Sequence, residues 1–272
     1  MFPLYDLNPH RRFPWFTLLL IAANTMVMIW MASLTPNEAN RVAFGYGFIP
    51  KRVTELTHGR PLLASIPQVD RRGQEIQGAE PIKVKLSGKP GAVYATLLTT
   101  MFLHGGWLHL VSNMWMLWIF GNNVEDRLGH FMYVCFYLVG GLVASLAHWA
   151  IDPSSSLPVI GASGAVAAVL GGYAVTYPWA KVRTLIFVGL IFIVDVPALA
   201  WLGIWFVMQN VVPGILSLQG LNEERIAFFA HIGGFVAGMI LMPFLALGAP
   251  PPGTDWRKEA DEMFRFDDPQ SI

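Results

Sequence analysis

Apolar residues gather into stretches about as long as a membrane-crossing helix: Pro14 to Leu34, the run ending near Arg127 that contains His109, Phe131 to Ile151, Leu157 to Tyr177, and Ile226 to Leu247. Roughly 20 apolar residues cross the hydrocarbon core, and only a helix pairs every backbone N–H and C=O within one segment there. A further apolar region, Thr184 to Leu218, is too long for one straight span and is interrupted by Asp195-Val196-Pro197. Divided there, Val182 to Val194 lie along the interface and Ala198 to Leu216 cross. The pattern predicts an all-α polytopic membrane protein with six transmembrane helices over residues 14–247. Residues 1–13 form a polar N-terminal segment and 248–272 a charged C-terminal tail. Inside the membrane domain a long first loop, 35–93, carries the alternation Ile82-Val84-Leu86, which predicts a small extramembrane flap with some strand.

Basic residues favour the cytoplasmic ends of spans. Arg11 and Arg12 precede the first span, Arg127 and His130 separate the second from the third, and Lys181 and Arg183 follow the fourth. The opposite loops are poor in Lys and Arg, so both termini are expected in the cytoplasm. The 35–93 loop is basic but near the length at which loops translocate regardless of charge, and it is expected outside.

Composition narrows the function classes. The chain is 54% hydrophobic and 13% charged, against about 25% charged in an average soluble domain. Its 18 basic and 18 acidic residues cancel, and no basic patch with interleaved aromatics offers a nucleic-acid surface. The single Cys135 excludes an internal disulfide and reads as packing. The first apolar span follows a polar start without a small-residue cleavage site, so it is expected to be retained as an anchor. With a short tail and no transit-peptide composition, a bacterial inner membrane is the expected location.

Three apolar runs contain chemistry. Ser163 sits in Gly161-Ala162-Ser163-Gly164, and His231 lies near the start of the last run. Taking those spans to begin at Leu157 and Ile226, a rise of about 1.5 Å per residue puts Ser163 roughly 9 Å and His231 roughly 7 to 8 Å below the outer surface. Gly105-Gly106 marks a start for the second span, with His109 one turn above Asn113; a start at Leu97 instead would set His109 nearer mid-membrane. His109 and Asn113 share a helix face, as do His231, Gly234 and Gly238, while Gly161 and Gly164 open a groove that lets backbones approach. A serine hydroxyl beside a neutral imidazole is a competent nucleophile, and two side-chain donors with the Ser163 N–H can hold an oxyanion. No carboxylate is placed to complete a triad, so a dyad is expected.

Each piece has a plain structural alternative: the Gly-Ala-Ser-Gly run as helix packing, His231 as a buried histidine bonded to a carbonyl, His109 and Asn113 as interhelical polar contacts. His104 reads as an interface histidine and His148 as one that reaches water. The conjunction at one depth favours chemistry. A transporter is disfavoured because no inverted repeat is visible, and metalloprotease or aspartyl-protease readings lack their residues.

The same residues resemble the rhomboid intramembrane serine proteases. The matching pattern is His104-x4-His109-x3-Asn113, Gly121-x2-Val124-Glu125-x-Arg127-x-Gly129, Gly161-Ala162-Ser163-Gly164, and Ala230-His231-x2-Gly234-x3-Gly238, preceded by Pro3-Leu4-Tyr5-Asp6 and Asn24. The resemblance implies a six-helix rhomboid-like bundle that cuts peptide bonds in or near transmembrane segments of other proteins. It implies Ser163 as nucleophile, His231 as general base, and His109 with Asn113 in the oxyanion hole. Glu125 and Arg127 become structural residues in the loop after the second span. The implied partners are transmembrane protein substrates and the lipid bilayer, without metal, cofactor or nucleic acid. The fifth helix, with Trp205, Phe206 and Gln209, is the expected lateral gate. Two positions depart from the family pattern: Tyr94-Ala95-Thr96 replaces a common Trp-Arg, and Ala167 replaces an aromatic that packs on the histidine, so something else must steady His231. The competing class is an inactive member of the same fold that binds membrane clients.

Overall fold

The computed structural model describes residues 1–57, 61–70, 74–219 and 227–247. The 248–272 tail and most of the connection from Ser217 to Arg225 lie outside these residues. The chain opens with strand β1 (Phe2–Asp6) and helix α1 (Trp15–Ala32). The 35–93 region then builds α2 (Pro36–Tyr46), α3 (Pro50–Thr57), β2 (Leu63–Ile66) and β3 (Ile82–Lys85), followed by α4 (Pro90–Thr99). Next come α5 (Trp107–Leu128), α6 (His130–Ile151) and α7 (Ser163–Thr176). Strands β4 (Lys181–Val188) and β5 (Leu190–Pro197) lead into α8 (Ala198–Phe206), which passes through a π-helical turn, Val207–Val211, into α9 (Val212–Leu218). The last helix is α10 (Phe228–Leu245).

Among the described residues, four helical stretches are long and apolar enough to cross a membrane by themselves: Trp15–Ala32, His130–Ile151, Ala198–Leu218 and Phe228–Leu245. The other two predicted spans are α5, whose C-terminal turns are polar, and α7, which is short because the chain becomes helical only at Ser163 and which forms the buried axis of the bundle. Every residue of α7 from Ala165 to Ala174 is buried. The helices around it approach through small residues. A Cβ added at Gly171 would stand 2.0 Å from the Phe235 carbonyl oxygen, at Gly234 2.2 Å from the Gly164 oxygen, and at Gly238 1.9 Å from the Ala168 oxygen. Helices α7 and α10 therefore touch backbone to backbone. On the opposite side, a Cβ at Gly140 of α6 would lie 2.3 Å from the Ala168 Cβ.

The flap is a small core of its own. Strands β2 and β3 pair antiparallel, Leu63 opposite Lys85 and Ile66 opposite Ile82, and with α2 they bury Phe44, Ile49, Leu62, Ala64, Ile66 and Leu86. Helix α2 starts on a Thr35/Glu38 capping box that satisfies its first free N–H groups.

Three sequence expectations are corrected. The fourth helix begins at Ser163 rather than Leu157, because Pro158 and Gly161 break the helix and Val159 pairs with Phe48 of the flap. Val182 to Val194 do not run along the interface as one segment; they fold into the β4–β5 hairpin, turning at Gly189 with φ +74°, and β1 pairs with β4 to make a three-stranded sheet. Glu125 and Arg127 lie on α5 itself, not in the loop after it.

These last two features organise the end of the bundle away from Ser163. The Trp115 indole N–H donates to the Pro3 carbonyl at 2.8 Å, and Asn123 Nδ2 donates to Asp6 Oδ2 at 2.7 Å, so β1 lies along the C-terminal part of α5. Beyond it Phe187, Val188, Leu190 and Ile191 stand exposed, leaving the hairpin apolar on both faces. The buried Glu125 carboxylate accepts the N–H groups of Phe16 and Thr17 at 3.0 and 2.8 Å and the Thr17 hydroxyl at 2.7 Å. It caps α1, whose Pro14 N-cap has no side chain to do so.

Candidate active site

Ser163 is the first residue of α7, where a backbone N–H has no intrahelical partner and faces outward. The turn that delivers it is fixed from several sides. Gly161 has φ +134°, a conformation side chains resist, and its N–H donates to the Thr100 carbonyl at 3.0 Å. The Phe48 and Val159 backbones exchange hydrogen bonds of 3.1 and 2.7 Å, and the Thr100 hydroxyl donates to the Val159 carbonyl. His104 is buried; its Nε2 faces the Ala162 N–H at 3.5 Å, and its ring meets the His109 ring edge-on with centroids 5.1 Å apart.

His231 lies on the first turn of α10 and reaches across to α7: its Nε2 is 2.7 Å from Ser163 Oγ. Its other nitrogen, Nδ1, is 2.8 Å from Asn210 Oδ1. Asn210 is 1% exposed and belongs to the π-helical turn between α8 and α9. The close α7–α10 contact at Gly164 and Gly234 sets the distance between the serine and the imidazole.

The oxyanion-hole candidates come from the start of α5, which begins at Trp107 after Gly106, in line with the Gly105-Gly106 start. A Cβ on Gly161 would lie 2.7 Å from His109 Cε1 and 3.5 Å from Ser163 Oγ, so the imidazole and the hydroxyl flank the same glycine. Asn113, one turn on, is buried, and its side-chain N–H group has no acceptor among the described residues. A buried donor without an acceptor carries a desolvation cost, and an oxyanion would remove it.

Four of the named residues thus surround one glycine-lined turn or its helical neighbour: Ser163, His231, His109 and His104. Gly161, Gly164, Gly234 and Gly238 make the close approaches, whereas Glu125 and Arg127 stand at the far end of α5, the latter directing Nη2 toward the Ala246 carbonyl at 3.5 Å. His148 is half-buried with an enclosed Nδ1, rather than reaching freely to water. Ala167 is fully buried, and the Nδ1 edge of the His231 ring is met by Asn210 instead. Asn210 was absent from the sequence reading, which singled out its exposed neighbour Gln209.

The fold and site define a polytopic helical membrane protein with a hydrogen-bonded serine and histidine held between two tightly packed helices. A family model described as the Rhomboid domain matches residues 91–247, and the chain belongs to the rhomboid family. Among its relatives, Rhomboid-like protein 11, chloroplastic, of Arabidopsis thaliana is 32% identical over 155 residues, 55% of this chain and 51% of the relative. RHOMBOID-like protein 5 of the same plant is 31% identical over 186 residues, 62% of this chain and 55% of the relative. Rhomboid protein 1, mitochondrial, of Saccharomyces cerevisiae is 28% identical over 149 residues, 53% and 40% respectively. The chain spans about half the length of the first two and less of the third.

Proposed function

We propose that this chain is an intramembrane serine endopeptidase that hydrolyses peptide bonds in or near transmembrane segments of other membrane proteins. The observation that carries the reading is the 2.7 Å contact between Ser163 Oγ and His231 Nε2. In this mechanism Ser163 Oγ attacks the scissile carbonyl carbon while Nε2 takes its proton. The carbonyl oxygen gains the negative charge and is received by the Ser163 N–H and by side-chain donors from His109 and Asn113. The imidazolium returns its proton to the departing amine, leaving an acyl-enzyme. Water, deprotonated by the same imidazole, then releases the new carboxyl end and restores the serine.

Orientation belongs to the same proposal. With Arg11, Arg12, Arg127, Lys181 and Arg183 on the cytoplasmic side, the site opens toward the opposite face, and cleavage falls near the outer end of a substrate span. A peptide bond inside a regular helix is shielded by its own hydrogen bonds, so substrates with Gly or Pro near the cut unwind more cheaply.

The test is cleavage of a reconstituted transmembrane substrate, mapped by mass spectrometry, together with labelling by a serine-reactive phosphonate. Ser163→Ala and His231→Ala should each abolish cleavage while the protein purifies folded, and only chains with Ser163 intact should label. Cleavage at the wild-type rate by either variant removes the mechanism. Failure of the wild-type chain both to cut and to label would favour the client-binding alternative.

A further inference from the structure

We infer that Asn210 is a positioning residue that completes a serine–histidine–asparagine arrangement by fixing the tautomer and ring orientation of His231; the inference rests on the proposed protease reading. Three observations carry it. Asn210 Oδ1 stands 2.8 Å from His231 Nδ1, opposite the nitrogen that faces Ser163 Oγ at 2.7 Å. The amide is 1% exposed, so water does not compete for the imidazole N–H. The residue sits in a five-residue π-helical turn, Val207–Val211, a local widening that re-aims side chains and recurs at functional sites.

The chemistry selects one orientation of the amide. With Oδ1 toward the ring, Nδ1 carries the proton and Nε2 presents its lone pair to the serine hydroxyl. With the amide reversed, Nδ1 would accept, the proton would move to Nε2, and the ring would face Ser163 with a proton it cannot use as a base. An asparagine therefore does the tautomer-setting part of the work an aspartate does in a triad, without placing a charge in the bilayer. It also supplies what Ala167 leaves out, since no aromatic at that position braces the ring.

The experiment compares wild type, Asn210→Leu and Asn210→Asp on a reconstituted transmembrane substrate, with phosphonate labelling at Ser163 and ¹⁵N NMR of the imidazole nitrogens. Leucine keeps the volume and removes the acceptor; aspartate keeps an acceptor in place. Asn210→Leu should lower kcat and the labelling rate by about 10- to 100-fold with KM within about two-fold, and its ¹⁵N shifts should move from the Nδ1–H form toward a mixture. Asn210→Asp should recover most of the rate. Wild-type kcat and an unchanged tautomer in Asn210→Leu would overturn the inference while leaving the protease reading intact. A wild-type chain that neither cuts nor labels would instead remove the protease reading, and the NMR comparison would still decide whether Asn210 sets the tautomer. If the leucine variant does not fold, loss of rate in Asn210→Ala, with recovery in Asn210→Asp, carries the test.

Discussion

Adding one methyl group at Gly238 should lower the proposed cleavage by about 100-fold without touching a reacting atom. A Cβ there would stand 1.9 Å from the Ala168 carbonyl oxygen and 2.7 Å from its carbon. A carbon–oxygen contact settles near 3.3 Å, so the α7 and α10 backbones must part by roughly 1.4 Å. Neither side can yield by a rotamer change, because both partners are main chain. Ser163 lies five residues before Ala168 and His231 seven before Gly238, so the wedge acts about two turns from the dyad on the same pair of helices. Carried that far, the separation takes the 2.7 Å Ser163–His231 contact to roughly 4 Å, beyond hydrogen-bond range. Misplacement on this scale costs on the order of 100-fold in rate. The assay is turnover of the reconstituted substrate, normalised to folded protein and accompanied by a melting curve in detergent. Gly203→Ala on α8 is the control, since a Cβ there meets nothing within 4 Å and should leave the rate unchanged. A Gly238→Ala variant with wild-type turnover and melting would refute the claim that this backbone contact sets the site.

Two further predictions concern the donors and the inner end. Asn113→Ala should lower kcat by roughly one to three decades, as loss of one oxyanion donor does elsewhere, with little change in melting; an unchanged rate would reduce Asn113 to packing. Burial pushes the Asp6 carboxyl up from 3.8 to about 7, although the Tyr173 hydroxyl bonded to it pulls the other way. Because the folded value exceeds the unfolded one, this contribution to stability is complete below about pH 4, is lost as the pH rises to about 7, and is constant above. Asp6→Asn should flatten the pH dependence of the melting temperature between about pH 4 and 7; a slope as steep as wild type would assign it to another group.

The spans were legible because lipid leaves a backbone so few choices, and five of the six helix starts fall within a few residues of the expected ones or at the marked glycine pair. Ser163, His231, His109 and Asn113 stood out because polar groups in such runs are costly. What was hidden had physical reasons. Leu157 to Ile160 are apolar enough to pass for helix, and only the Pro158–Gly161 pair and a partner strand far away in sequence, at Phe48, make them extended. The run Thr184 to Val194 is rich in Val, Ile and Phe around one central glycine; its β-branched content and Gly189 are the hairpin signal that hydrophobicity alone overrode. Asn210 carried the same signal as Asn113, a polar residue in an apolar run, but its pairing with His231 depends on a π-helical turn that the hydrophobic pattern does not mark.

The Phe48–Val159 bridge gives the outer flap a mechanical standing. Lys51 N–H also holds the Ser155 carbonyl at 2.9 Å and the Thr54 hydroxyl the Pro153 carbonyl at 2.9 Å, so the flap is stitched along the whole approach to Ser163. It acts as a splint rather than an ornament: whatever presses on it is felt at the segment that presents Ser163, and trimming it away would loosen the very residues it leaves behind.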